Sequence, residues 1–150
     1  MREILFRAKA INRDGGYHRT NYKNGDWVYG LISRLYDERF NFFPAEMTNE
    51  DGISGIEIDH NTIGQYTGLT DKNAKKIFEG DIVRTLAPCS IDKYIKGVVV
   101  FGEYSTSYQS SNVGYYVNWS LNKNLAIYCK INDIEIIGNI HDNPELLEDV

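Results

Sequence analysis

Cysteine is scarce in this 150-residue chain, with only Cys89 and Cys129, and neither sits in a C-x-x-C pair. That excludes a disulfide framework and leaves two reduced, partly buried thiols, the usual condition of a cytosolic protein. Long apolar runs are missing too. Nothing approaches the roughly 18 residues that a membrane-spanning helix needs. The opening stretch MREILFRAKA sets charges among its apolar residues, so it does not read as a signal peptide and a cytoplasmic location is expected. Asn118-Trp119-Ser120 matches a glycosylation acceptor, which without export has no meaning. Basic blocks are absent as well. Residues 1–50 hold eight Lys/Arg against seven Asp/Glu, residues 51–84 four against six, and residues 85–150 four against eight. The net charge of −5 disfavours tight, non-specific binding to nucleic acid, which draws its affinity from neutralising phosphates. No G-x-G-x-x-G, P-loop or G-x-S-x-G pattern occurs.

Tyrosine, in contrast, is abundant, with 11 copies, and β-branched residues are frequent. Both favour sheet over helix. Ile4, Phe6, Ala8 and Ala10 alternate with charged residues and predict an N-terminal strand. Asn24-Gly25 is a hairpin signal, and Trp27, Tyr29 and Leu31 share one face of the strand after it. Gly30 inside that strand points to a bulge or a close backbone approach. A third strand is expected over Arg39–Phe43, stopped by Pro44, then a loop over Thr48–Gly55. Ile56–Ile58 and Thr62–Tyr66 read as short extended pieces, with a turn at Thr67-Gly68 and another at Asp71-Lys72-Asn73. Further strands are expected at Ile82–Leu86, Gly97–Phe101 (read as buried on both faces), Val113–Leu121, Leu125–Ile131 and Ile134–Ile140. Tyr104–Tyr108 reads as pairing back in a hairpin, and Gln109–Asn112 as a polar loop. Asn143-Pro144-Glu145 is a helix-start signature with room for one or two turns, pinned by Leu146 and Leu147. The expected fold is one mostly-β domain over 1–150, with an N-terminal lobe at 1–78 and a β-barrel with its short helix at 79–150.

One motif could be mistaken for chemistry. Glu79 and Asp81 flank Gly80 like a pair of catalytic carboxylates. The glycine allows a turn, the Asp side chain can accept from nearby backbone N–H groups, and Ile82-Val83 can then enter a core. A Gly-Asp before a β-branched pair, with a later strand such as Gly97–Gly102, is the texture of a small SH3-like barrel. The two carboxylates are therefore read as parts of a turn, not as an acid/base pair.

Three longer stretches carry a resemblance. MREILFRAKA at the start, Thr62–Val83 (TIGQYTGLTDKNAKKIFEGDIV) and Glu135–Glu148 (EIIGNIHDNPELLE) together resemble the YopX family of phage and prophage proteins, and Asn24–Gly30 (NGDWVYG) fits as well. The departure is Ala74, where the family usually has glycine after Asp-Lys-Asn. Glycine would adopt a left-handed conformation cheaply, so the expectation is that Asn73 takes that role or that the turn type differs. The resemblance implies a mostly β protein with a barrel-like C-terminal half, acting in a bacterial host. It brings no assigned activity and no catalytic or binding residues to carry over.

The remaining candidates divide by chemistry. His18, His60 and His141 lie at no metal-ligand spacing with each other or with the two cysteines, so no metal or other cofactor is expected. His141-Asp142 reads as the end of the last strand. Ser105, Ser107, Ser110 and Ser111 beside Tyr104 and Tyr108 read as a polar loop without a histidine partner. Tyr104, Tyr108, Tyr115, Tyr116, Trp119 and Tyr128 fall on strands, where packing is the first reading and base stacking or peptide binding the second. Lys93, Lys96, Lys123 and Lys130 are the few cations near them, and residues 81–140 are electrically neutral, with five Lys/Arg and five Asp/Glu. The expected function is a non-enzymatic accessory protein that binds protein or assembles with itself. The alternative is a barrel binding single-stranded nucleic acid, with Lys123, Lys130 and Arg84 gathered beside Trp119.

Overall fold

The computed structural model describes residues 3–12, 21–35, 39, 44–87, 90–105, 111–119 and 133–148. The chain divides into two compact units, Met1–Tyr66 and Thr67–Val150. The sequence placed the lobe boundary later, after residue 78. Residues 67–78 belong to the second unit because their hydrogen bonds lie there: the Thr67 hydroxyl donates to Ile77 O, and Lys72 N–H to Ile134 O.

In the first unit, alternation sets the pattern. Strands β1 (Phe6–Ala10), β2 (Trp27–Arg34), β3 (Ala45–Asn49) and β4 (Ile56–Thr70) are all antiparallel to their neighbours. β1 pairs with β2, β2 with β3, β3 with β4, and β4 returns to β1, so the pairings close a ring. Its interior is narrow and is filled by Ala8, Ala10, Ala45, Val28, Met47, Ile56 and Ile58. Three alanines suit a ring of only four strands, where larger side chains would collide. At Gly30, a Cβ would overlap the carbonyl oxygen of Thr48, so the close approach expected from sequence is real. The β1–β4 ladder skips between Arg7↔Gly64 and Lys9↔Asp59. Thr62 fills the gap: its hydroxyl accepts from Lys9 N–H at 2.8 Å and donates to Asp59 O at 2.7 Å. On the outer side, the Arg7 guanidinium lies 4.7 Å from the centre of the Trp27 ring.

The second unit holds the end of β4, β5 (Lys76–Phe78), β6 (Asp81–Leu86), β7 (Tyr94–Ser105), β8 (Ser111–Trp119), β9 (Glu135–Asn139) and a 3-10 helix, Pro144–Leu147. Four of its strands form an antiparallel sheet in the order β8-β7-β6-β9. Ile77, Val83, Ile95, Val99, Trp119 and Ile134 make its core. Among the described residues this sheet is a row of four, whereas the strands of the first unit pair in a ring.

Several local expectations change. There is no reversal at Thr67-Gly68: β4 runs through it, and Gly68 takes a positive φ of 88° within the strand. Thr48 and Asn49 belong to β3, not to a loop, and β3 begins after Pro44; residues 40–43 of the expected third strand lie outside the described residues. β7 is not buried on both faces. Ile95, Gly97 and Val99 point inward, their neighbours are half-covered, and Phe101 is 55% exposed. Tyr104 and Ser105 continue β7 instead of folding back, and β8 starts at Ser111, inside the expected polar loop. The last helix begins at Pro144 as expected, but Asn143 makes no side-chain cap. It rests on β9 instead: a Cβ at Gly138 would meet Asn143 Oδ1 at 2.6 Å and Leu146 Cδ1 at 2.9 Å. Lys96 Nζ reaches from β7 to Leu146 O at 3.2 Å. The expected strand Leu125–Ile131 lies outside the described residues.

Candidate interaction surface

The Glu79-Gly80-Asp81 motif resolves into backbone geometry. Gly80 takes a positive φ of 84°, its N–H donates to Val99 O at 2.9 Å, and its carbonyl accepts from Ile140 N–H at 2.9 Å. One residue thus ties β7 to the end of β9. A side chain there would be strained by the backbone alone. Asp81 is 1% exposed, and its Oδ2 accepts from Phe78 N–H at 2.8 Å. Ile82 and Val83 then enter the interior, both fully buried. The aspartate's contact is that of a turn residue holding a strand start.

A second carboxylate organises more. Asp71 is 5% exposed. Its Oδ1 accepts from Asn73 N–H at 2.8 Å and Lys75 N–H at 3.0 Å, and its Oδ2 from Ile136 N–H at 3.1 Å. Lys72 N–H donates to Ile134 O at 2.9 Å. The 71–75 loop therefore meets the start of β9, the outer strand on that side among the described residues, through Ile136 N–H and, just before the strand, Ile134 O. Burial pushes the Asp71 carboxyl up, but the three backbone donors and the charge of Lys75 outweigh it and hold it below the ordinary 3.8. Sequence reading saw only a turn here. Ala74, with φ 62°, is itself the left-handed residue, so Asn73 does not take that role. Alongside, Glu135 Oε2 receives Lys72 Nζ at 2.7 Å and both the Nε and a terminal nitrogen of Arg84 at 2.9 Å. Those two cations lower the Glu135 carboxyl below its ordinary value.

The opposite side of the sheet is different. β6 pairs with β7 only over Leu86↔Tyr94 to Ile82↔Val98, whereas β8 stays paired with β7 to Ser105↔Ser111. Among the described residues, the two strands beyond Val99 continue as a two-stranded ribbon. Phe101 meets Tyr115 edge-on at 5.0 Å on one face; Tyr104 and Tyr116 lie 5.5 Å apart on the other. Between that second pair sit Gly102 and Gly114, directly opposite each other, so the tyrosine rings cover backbone that has no side chains of its own. Val113 is 73% exposed. From Gly97 to Ser105 and from Ser111 to Trp119 the only charged residue is Glu103, which accepts from the Ser111 hydroxyl.

The sequence candidates separate accordingly. Trp119 is 3% exposed and belongs to the core. Arg84 is held by Glu135 and stacks over Tyr94 at 5.0 Å, so it does not converge on Trp119. Lys123, Lys130, Tyr108, Tyr128, Ser107, Ser110, His18, Cys89 and Cys129 lie outside the described residues. His141 N–H is held by Asn139 Oδ1 at 3.0 Å, in the turn after β9. Among the described residues no three His, Cys, Asp or Glu side chains gather as metal ligands, and no helix is long and apolar enough to cross a membrane.

The profile of the family described as YopX protein matches residues 16–148. The chain belongs to the YopX family. In solved structures, this YopX chain is similar to protein EF1440 from Enterococcus faecalis, known from a crystal structure, with 25% identity and a TM-score of 0.49 over 97% of this chain and 98% of that one. No curated protein matches the YopX chain significantly.

Proposed function

We propose that this YopX-family chain is a phage- or prophage-encoded accessory protein that works in the host cytoplasm by binding protein, itself included, and not by catalysis. The observation that carries this reading is the β7–β8 ribbon. It extends past its own sheet, carries aromatic pairs on both faces and has a single charge, Glu103. Such a surface suits an uncharged protein partner. A nucleic acid would need cations along it, and the ribbon offers a carboxylate instead. Asp71, Asp81 and Glu135, the carboxylates one would first test for chemistry, are occupied with backbone N–H groups or fixed cations.

The test is capture from host lysate, with and without nuclease, using the whole chain as bait. Retention of a defined protein that survives nuclease supports the reading. Loss of all bound material on nuclease treatment would transfer the function to nucleic acid. Substrate turnover by the purified chain would overturn it outright.

A further inference from the structure

We infer that Asn24 is a modification site, an asparagine that this chain converts to aspartate and isoaspartate through its own backbone, at a rate set by opening of the turn that holds it. Asn24-Gly25 is the one Asn-Gly pair in the sequence; every other asparagine is followed by a residue with a side chain. The reaction favours a small successor, because the backbone nitrogen of the next residue must reach the asparagine Cγ. Glycine leaves that approach clear. Both residues are exposed, and a Cβ built on Gly25 would meet no heavy atom within 4 Å. The Gly25 nitrogen gives its proton to hydroxide and attacks Asn24 Cγ. A carbon–nitrogen bond forms and the Cγ–Nδ2 bond breaks. Nδ2 takes a proton from water and leaves as ammonia, which returns the hydroxide and leaves a five-membered succinimide. Water then opens the ring. Cleavage between Cγ and Gly25 N gives aspartate; cleavage between the Asn24 backbone carbonyl carbon and Gly25 N gives isoaspartate, whose main chain is one methylene longer. Nothing is oxidised, and water is the co-reactant.

The fold opposes the first step. Lys23–Asp26 is a turn closed by Asp26 N–H to Lys23 O at 3.1 Å, with Gly25 at its third position and a φ of 88°, as type II geometry requires. The nitrogen that must attack is committed: Gly25 N–H donates to Ala10 O at 2.8 Å. The amide that must be attacked is committed too, since Asn24 Oδ1 accepts from Asn12 N–H at 3.2 Å. Asp26 braces the turn. Its Oδ2 accepts from Lys23 N–H at 2.7 Å, and its backbone carbonyl accepts from Ala10 N–H at 2.8 Å. Gly25 N loses its proton and meets Cγ only after the turn lifts from residues 10–12, so the chemistry waits on local opening. Isoaspartate then keeps the turn from closing in its old register, because the added methylene displaces Gly25 N from Ala10 O. The new carboxylate also stands close in sequence to that of Asp26. The conversion runs one way and marks the age of the chain at the entry to β2.

Peptide mapping by mass spectrometry of the whole chain, stored in mildly alkaline buffer with and without denaturing guanidinium, tests this. The expected result is conversion at residue 24 before any other asparagine, faster in alkali than in mild acid, and at least about tenfold slower in the folded chain than in the unfolded one. Asp26→Ala removes the side-chain brace and should speed conversion of the folded chain severalfold, in step with faster hydrogen exchange of Gly25 N–H. Circular dichroism confirms the fold of that variant; should it unfold, sub-denaturing guanidinium on the parent replaces it, and the two rates should again rise together. Equal rates in folded and unfolded chains would overturn the gating by the turn. Conversion first at another asparagine, or an Asn24 that stays intact in the unfolded chain, would overturn the site itself. Faster exchange of Gly25 N–H with no change in conversion would also end the proposal.

Discussion

The two units of this molecule treat strand edges in different ways. In the first, four strands pair in a ring, and none of them has an unpartnered side. In the second, four strands pair in a row among the described residues, with β8 and β9 as the outer two. One of those, β9, is sealed by a loop whose buried aspartate and backbone take over its hydrogen bonds. The other, β8, has one strand neighbour among the described residues and carries neither charge nor proline. Closure removes the opportunity for strand addition, and sealing masks it.

The strongest way to break the contrast is to unseal β9. Asp71→Ala strips partners from three backbone N–H groups at once, and should cost about 3 kcal/mol in urea unfolding at neutral pH. It should also add concentration-dependent association through β9. Unchanged stability would mean that the carboxylate does not hold the loop. A gentler break is acid. The folded chain holds the Asp71 carboxyl below 3.8 while the unfolded chain does not. Its contribution is thus intact above that value and drains away as pH falls through it towards the lower folded value. Glu135 shifts in the same direction. The measurement is the unfolding midpoint from pH 6 downward: in Asp71→Asn the decline should be shallower than in the parent. The smallest effect sharpens the seal. Ala74 sits at φ 62°, so Ala74→Gly should relieve the turn and stabilise the chain by about 1 kcal/mol, read as a raised thermal midpoint.

Much of this was legible in the residues, and where it was not the reason is physical. Alternation located β1 and β2, β-branched and aromatic runs between turn signals located β6, β8 and β9, and Gly80-Asp81 announced its turn because glycine and aspartate act locally. Ring closure was not legible, because it depends on Ile58 pairing with Ala45 on one side and Ala10 on the other, and pairing partners leave no mark on composition. Thr67-Gly68 misled because a positive-φ glycine serves a strand irregularity as well as a turn. The run Gly97–Phe101 misled because β-branched residues fill half-covered strands as readily as buried ones. Asp71 showed its turn chemistry, while its grip on Ile136 spans 65 positions and no local signal encodes it. As for the interaction surface, the aromatic residues were visible; that Trp119 goes inward while Phe101 stays out was decided by where β6 stops.

The bonds from Gly80 to Ile140 and from Asp71 to Ile136 also set a schedule for synthesis. Every pairing in the ring lies within the first 66 residues, so it can form while the ribosome is still at work. Strand β6 must wait for residues up to Ile140, about 3–11 seconds of further elongation at typical rates of synthesis. For that interval its β9-facing side is bare in the nascent chain, and slow or crowded translation should leave the second unit, not the first, as the part that needs a chaperone.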